Sequence, residues 1–469
     1  MTSVSTPRLE YVNALDDVQR NRAAVKGERA VKALKTILLP PLASMCCETC
    51  VDTSGQSRLN QTATLTLEGQ AAYNKYIGNA YFYGATGRTV AGLVGLIFSK
   101  NPVEEVPASV QYLEDNADSK GNSLRFIAKT ACFEAQVTPR SGLLVARPST
   151  PQGASVATVE SQNLRPKILN YKFESIINWD YQVINNIEKL SLVVLVEQIS
   201  VRKGFEVKVE KQYRVLELID NVYHQSLYNN SSSQITPPTP VMVNGATSDE
   251  IPFYWIESDS DNKAPINDLV DANMEHYNLY ADYGSKLHYS SFVIYTETGA
   301  QPGTNNLMGN GVKWNNPETD AEFGVLQPDG NSDAHRIALQ DMEQRMAALG
   351  AEQLRPASSS AESAEAKSLD RVAQNSTTAD VAITVSEALT KAINFASRWM
   401  GGTEDTVYQL NTDYNPTGLD SQSLTALTAT WQGGGISYDT YYENLQRGEI
   451  ASSDRTAEQE QALISDNNV

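Results

Sequence analysis

A chain of 469 residues, 41% of them hydrophobic, can bury a real core, and its length calls for two to four domains or one elongated subunit. A net charge of −19 and a pI near 4.7 exclude a protein that grips nucleic acid through a basic surface, though not one past which nucleic acid slides. The charge is uneven: residues 1–100 carry 11 Lys/Arg against 7 Asp/Glu, and residues 401–469 carry 2 against 11.

No run of about 18 apolar residues is present and the polar N-terminus lacks a signal peptide's apolar stretch, so a soluble protein made in the cytoplasm, with no membrane partner, is expected. Cys46, Cys47, Cys50 and Cys132 are too few for a disulfide framework. The pair Cys47/Cys50 has no second pair or nearby histidine, so reduced thiols and no metal or other cofactor are expected.

In chain order, the composition predicts a helix over 16–36, ended by Leu38-Leu39-Pro40-Pro41. A second helix is predicted over 66–82 with Tyr73, Tyr76, Ile77 and Tyr81 on one side. The Gly-punctuated apolar stretch 88–98 follows; its glycines lack dinucleotide spacing and point to close backbone packing. A helix over 123–137 leads to a strand at 143–146 and a Ser/Thr/Pro/Gly loop over 148–155. Strands are predicted over 191–199, 205–218 and 222–227, with 229–240 a polar loop. Residues 1–250 therefore read as an α+β body.

Ile251-Pro252-Phe253 introduces a helix over 266–287 with two opposed faces. Asp268, Asp271, Glu275, Asn278 and Asp282 fall in one arc, while Ile266, Val270, Tyr277, Tyr280, Tyr283 and Leu287 gather opposite. Only Lys286 relieves the acids, where ordinary surface helices interleave opposite charges at i to i+4. Such a stripe is either a solvated surface or a wall that must not hold a polyanion. A short β segment at 292–295, a Gly/Asn-rich stretch at 299–311 and a strand-turn region with Trp314, Phe323, Val325 and Leu326 come next. Ser332 caps a helix running to Leu349, a small polar segment spans 351–360, and a helix over 362–400 follows, with a weak point at 375–378. A strand at 407–410, helices over 421–431 and 438–446, and an acidic fraying end complete the chain.

Helix, small β insertion, returning helix, polar loop, long helix and helical tail, in that order, resemble the portal proteins of tailed bacteriophages. Local strings resemble one portal family described only as an uncharacterised phage domain. They are Gly27-Glu-Arg-Ala-Val-Lys32 with Leu39-Pro40, Arg88-Thr-Val-Ala-Gly-Leu-Val-Gly95 with Phe98, Ile177-Asn-Trp179 and Ile251-Pro-Phe253. Asn273, His276-Tyr277, Gly435-Ile-Ser437, Leu445 and Gly448 continue the match. One departure is Leu144-Val-Ala-Arg-Pro148, where the family pattern has an aspartate before the proline.

The resemblance implies an α+β portal fold: an α/β wing (1–250), a first stem helix (251–289), a small α/β clip (290–331), a second stem helix (332–349), a tunnel loop (350–361), a long wing helix and return strand (362–420) and a helical crown (421–469). It implies a homo-oligomeric ring, usually a dodecamer, at one capsid vertex of the virion, assembled in the host cytoplasm. The partners implied are double-stranded DNA in the channel, the major capsid protein, the terminase large subunit and a head-tail adaptor. Twelve copies of a chain of charge −19 carry −228, a lumen onto which phosphates cannot condense.

In that setting Asp268, Asp271, Glu275, Asp282, Arg336 and Glu343 are candidates for the channel or its subunit seams, against the plain alternative of solvated outer charges. The Tyr-rich opposite face is expected to pack on a neighbouring subunit, and Arg336 and Arg345 to pair with a neighbour's acids. Arg355, Ser358, Ser359 and Ser360 are tunnel-loop candidates, with Arg355 as the nearby cation able to touch a phosphate. Trp314 and Phe323 are clip-interface candidates or buried clip core. The rival readings are another virion structural protein, minor capsid or tail component, and a soluble hydrolase using carboxylates. No P-loop, G-x-S-x-G or H-E-x-x-H motif supports an enzyme, so a non-enzymatic role is expected.

Overall fold

The structure is a computed structural model that describes residues 3–35, 38–41, 66–146, 164–257, 262–290, 294–298, 322–326, 332–350, 364–412, 414, 421–448, 450–452 and 455–466. The chain opens with α1 (Leu9–Lys26) and α2 (Glu28–Ala33), which divide the single helix expected over this stretch. Gly27 separates them at φ +90°, a conformation that glycine adopts without a Cβ clash. α3 (Leu67–Asn79) begins at Thr66, whose hydroxyl accepts from the Gly69 N–H at 2.9 Å, and α4 (Ala85–Ile97) follows. After β1 (Val103–Glu105), α5 (Leu124–Val137) is capped by the Ser123 hydroxyl.

Three antiparallel strands form the first sheet: β2 (Arg140–Ala146) lies between β3 (Lys167–Tyr171) and β11 (Phe253–Glu257). Phe253, opposite Leu144, crosses the sheet over Gly142, where any Cβ would run into its ring. The Ile251-Pro-Phe253 string therefore completes the sheet of the preceding body. The next helix starts only at Asn267.

The second sheet is a five-stranded antiparallel meander: β4 (Ile176–Ile184), β5 (Ile187–Lys203), β6 (Glu206–Ile219), β7 (Val222–Asn229) and β8 (Gln234–Pro240). Two of its turns are Asn185-Asn186 and Asp220-Asn221, all four residues at φ between 51° and 62°, as a type I′ hairpin turn demands. β8 replaces part of the expected loop. Its Pro237 and Pro238 donate no hydrogen bonds, which an edge strand tolerates. β5 and β6 stay paired out to Lys203↔Glu206, whereas β4 stops at Leu195 and β7 at Gln212. Beyond those points the hairpin projects as a two-stranded arm, its Gly204-Phe205 tip leaving Phe205 fully exposed.

Short pairs complete the β structure: β9 (Met242–Val243) with β10 (Ala246–Thr247), and β12 (Ile294–Thr298) with β13 (Glu322–Leu326). That last pair lies between α6 (Asn267–Ser290) and α7 (Asp333–Leu349). Next comes α8 (Ala364–Trp399), one continuous helix through the Asn375 region, and β14 (Val407–Gln409), which pairs with β1. α9 (Ser421–Gln432), α10 (Tyr438–Arg447) and α11 (Ala457–Asp466) end the fold. Among the described residues no helix is long and apolar enough to cross a membrane.

The C-terminal half of α8 forms the centre of the main core. Val381, Ala382, Val385, Ala388, Leu389, Ala392, Ile393, Phe395, Ala396 and Trp399 are all buried, packed against α5, β2, β11 and β14. Alanines at 382, 388, 392 and 396 let the neighbours approach closely, while the branched and aromatic residues fill the space between. Ser386 takes part in anchoring β14, since its hydroxyl accepts from the Leu410 N–H at 3.0 Å. Ala392→Leu is expected to lower stability by about 1–3 kcal/mol through overpacking. Ile383→Leu on the exposed side of the same helix should stay within about 0.5 kcal/mol. Denaturant unfolding followed by circular dichroism checks both.

Candidate functional site

The candidate site is built on α6, the helix whose sequence separates acids from aromatics. Its first half sits inside the body, and Leu269, Val270, Ala272, Asn273, Met274, His276, Tyr277 and Ala281 are buried. What remains open is a narrow strip in which Asp268, Asp271, Glu275 and Asp282 are all exposed. At 1.5 Å per residue the strip runs for about 21 Å along the helix.

Two of these acids are held by the chain's own N-terminal helices, beyond the Lys286 that the helix's own sequence offers. Arg20 of α1 reaches across to Asp271 at 2.9 Å while also bonding Asp17 at 3.1 Å. Asp282 accepts a hydrogen bond from the Tyr76 hydroxyl of α3 at 2.6 Å; burial and then this carboxylate push the phenol's pKa upward. Sequence spacing along one helix could not show either contact, because both partners come from about 200 residues or more away. Asp268 and Glu275 have no ion-pair or hydrogen-bond partner among the described residues.

On the aromatic side Tyr277 is buried within the same chain, while Tyr280 and Tyr283 are half-buried and Leu287 stays exposed. Phe82 meets Tyr277 edge-on at 6.0 Å between ring centres, and Tyr81 lies against Tyr280 at 5.5 Å. From Tyr83 the contacts continue through His276, Tyr280 and Tyr283 to His335 of α7. Gly284 allows the fit: a Cβ there would stand 2.7 Å from the Asn79 carbonyl oxygen at the end of α3. α7 lies along α6 with Leu339 and Met346 buried between them.

On α7, Arg336 is exposed and bonds Asp333 one turn earlier at 3.4 Å. Glu343 is half-exposed and stands 3.6 Å from His276 Nε2. Sequence reasoning made Glu343 a candidate for the channel or its subunit seams and missed its buried partner, His276. His276 is 1% exposed, and neither ring nitrogen has a hydrogen-bond partner among the described residues. Asn273, one turn away, donates to the Thr86 hydroxyl at 2.8 Å, and Asn267 accepts from Asn21, which also donates to the Val137 carbonyl. The signal was available: Asn273 and His276 are polar residues set on the apolar side of an amphipathic helix.

Arg355, Ser358, Ser359, Ser360 and Trp314 lie outside the described residues. Phe323 sits on β13 opposite Glu297, and its side chain is outside the described residues. Among the described residues no group of three or more metal-ligating side chains comes together, and Cys132 is buried with its thiol pushed well above its usual range by burial.

Residues 265–400 match a family described as a domain of unknown function, DUF4055. That span begins just before α6 and ends just after α8, so it covers the candidate site but less than half of the chain. A chain from the neck of an empty GTA particle computed with C6 symmetry aligns over 81% of this chain and 93% of its own length. At 10% identity and a TM-score of 0.38, that likeness bears on neither fold nor function. No curated protein matches.

Burial holds the His276 imidazole below its ordinary pKa of 6.5, with the nearby Glu343 carboxylate opposing. The folded chain therefore keeps this ring neutral at a pH where the unfolded chain takes up a proton. Its contribution to stability is complete above about 6.5 and is lost as pH falls from there towards the lowered folded value. His276→Gln is expected to flatten the decline of melting temperature between pH 7 and 5 relative to the unaltered chain, which thermal melts across that range measure.

Proposed function

We propose that this chain is a virion structural protein of the head-to-tail connector region, and specifically a portal subunit. In this reading copies form a closed ring, twelvefold by resemblance, at one capsid vertex, and the ring passes double-stranded DNA inward during packaging and outward during ejection. The terminase large subunit and a tail adaptor dock on it, and the major capsid protein surrounds it. It has no enzymatic role.

The observation that carries this reading is the succession of α6, the β12/β13 pair, α7, a short connection and the 36-residue α8. It joins two packed helices of different exposure to a small β module at one end and to a core-anchored helix at the other. The DUF4055 match spans the same succession. In a ring, Asp268 and Glu275 of every copy repel phosphate without being neutralised by their own chain. Low friction towards DNA follows from that repulsion. Asp271 and Asp282, tied to α1 and α3, take a structural part instead.

Negative-stain microscopy of the purified full-length chain is expected to show rings with a central hole, and a monomer with hydrolytic activity overturns the reading. The double substitution Asp268→Lys with Glu275→Lys is expected to leave the ring intact and slow packaging several-fold, since lysines facing the lumen bind phosphates. Arg355→Ala, in the connection before α8, is expected to slow packaging or weaken DNA retention, and unchanged virion yield and packaged length count against a DNA contact there.

A further inference from the structure

The two faces of the β5–β6 arm differ in charge. On one of them Gln198 stands opposite Lys211, Ser200 opposite Val209 and Arg202 opposite Val207. That face carries two cations and no acid, and neither cation makes an ion pair among the described residues. Arg202 uses its Nε for the Gly204 carbonyl at 2.7 Å, at the turn of its own hairpin. The other face balances its own charges, with Lys203 opposite Glu206 and Lys208 bonded to Glu210 at 3.5 Å. Val207 and Val209, on the cationic face, are each 57% exposed. Nearer the body the same face continues through Val194, Val196 and Tyr213, which pack with Val4 and Tyr11 of the chain's own N-terminal part. An apolar face covered at its base and bare above it, on a two-stranded ribbon that is marginal alone in water, calls for a partner.

A surface of the same kind and opposite charge lies on the β1–β14 pair. From Asp405 to Leu410 exposure alternates: Thr406, Tyr408 and Leu410 are buried, while Asp405, Val407 and Gln409 are exposed. Glu105 pairs with Val407 and Val103 with Gln409, so both belong to the outward face, and both are exposed. Val103 and Val407 are 54% and 40% exposed. Neither Glu105 nor Asp405 makes an ion pair among the described residues, and Asp405 accepts a hydrogen bond from the nearby Thr403 hydroxyl at 2.6 Å. Two valines with two acids stand here, against two valines with two cations on the arm. Measured along the strand, Val207 to Lys211 and Asp405 to Gln409 each span about 13 Å.

Resting on the homo-oligomeric reading above, we propose that the arm face bearing Val207 and Val209 packs face-on against the β1–β14 pair of a second copy, valines against valines, with Arg202 and Lys211 set against Glu105 and Asp405. Two sheets bury their apolar sides in this face-to-face manner. Donor and acceptor are different patches, so each copy gives one contact and receives one. Head-to-tail contacts of that kind close into a ring, whereas a self-complementary patch gives only a dimer. The valines between the cations favour a protein surface over a nucleic-acid backbone, whose phosphates are met by cations and polar groups alone.

The test uses the full-length chain. Arg202→Glu with Lys211→Glu, and separately Glu105→Lys with Asp405→Lys, are each expected to weaken assembly about tenfold in sedimentation velocity at low salt. All four positions are exposed, so circular dichroism is expected to show both variants folded. Combining the two pairs is expected to restore assembly. A carbodiimide crosslink from Lys211 to Glu105 or Asp405 is expected to join isotopically heavy copies to light ones in a mixed sample. Unchanged assembly of folded variants, loss that the combined variant does not restore, crosslinks confined to one chain, or weakened DNA retention with assembly intact each overturn the proposal. Where assembly is unchanged the ring reading survives and only this contact fails. An unaltered chain that stays monomeric sinks both.

Discussion

Close packing around the second half of α8 is the constraint on which the rest of the molecule depends. Ala382, Ala388, Ala392 and Ala396 on its buried side let α5, β2, β11 and β14 pack closely on one helix. An interior packed to crystal-like density transmits position without slack. The strands that pair with β2, and the chain leaving Trp399 for β14, are therefore placed by the same contacts. β11 in turn delivers the chain to α6, so the candidate site inherits its position from that core.

Charge is handled in two ways. Glu134, 1% exposed on α5, is neutralised by Arg22 of α1 through a hydrogen bond of 3.1 Å to Oε1, and Arg22 also binds Glu174. Removing one member of such a set leaves a buried charge uncompensated, which costs far more than an exposed pair contributes. Along α6 the opposite choice is made. Asp268 and Glu275 are exposed and have no partner among the described residues, an arrangement with no stabilising value there. A surface that stability does not explain is where function is sought, and in a ring this one repels phosphate.

Local signals made most of the fold legible. Thr66, Ser123 and Ser437 announce helix starts, and each hydroxyl accepts the backbone N–H three residues on. Asp220-Asn221 marks a hairpin turn for the same kind of reason: a two-residue turn needs positive φ, which Asn and Asp tolerate. Long-range pairing was not legible. β11 reads as a lead-in to α6 until Leu144 is placed opposite Phe253, and a Pro-rich stretch reads as loop until it is seen at a sheet edge. The same limit governed the site. Helical periodicity sorted the acids of α6 onto one side correctly, yet Arg20, Tyr76 and Glu343, which decide what three of its residues do, come from other elements.

The β5–β6 arm has a consequence for how this chain can change in length. From Val196 to Lys203 and from Glu206 to Lys211 no third strand is attached, and the tip has no part in any core. Residues added or removed there disturb no packed side chain, so loss and gain of segments is tolerated at the tip as it is at few other places in the sheet. The pairing sets one rule on such changes. A matched pair, one residue in each strand, lengthens the arm and keeps its register, whereas a single residue in one strand makes a bulge or turns every side chain beyond it to the other face.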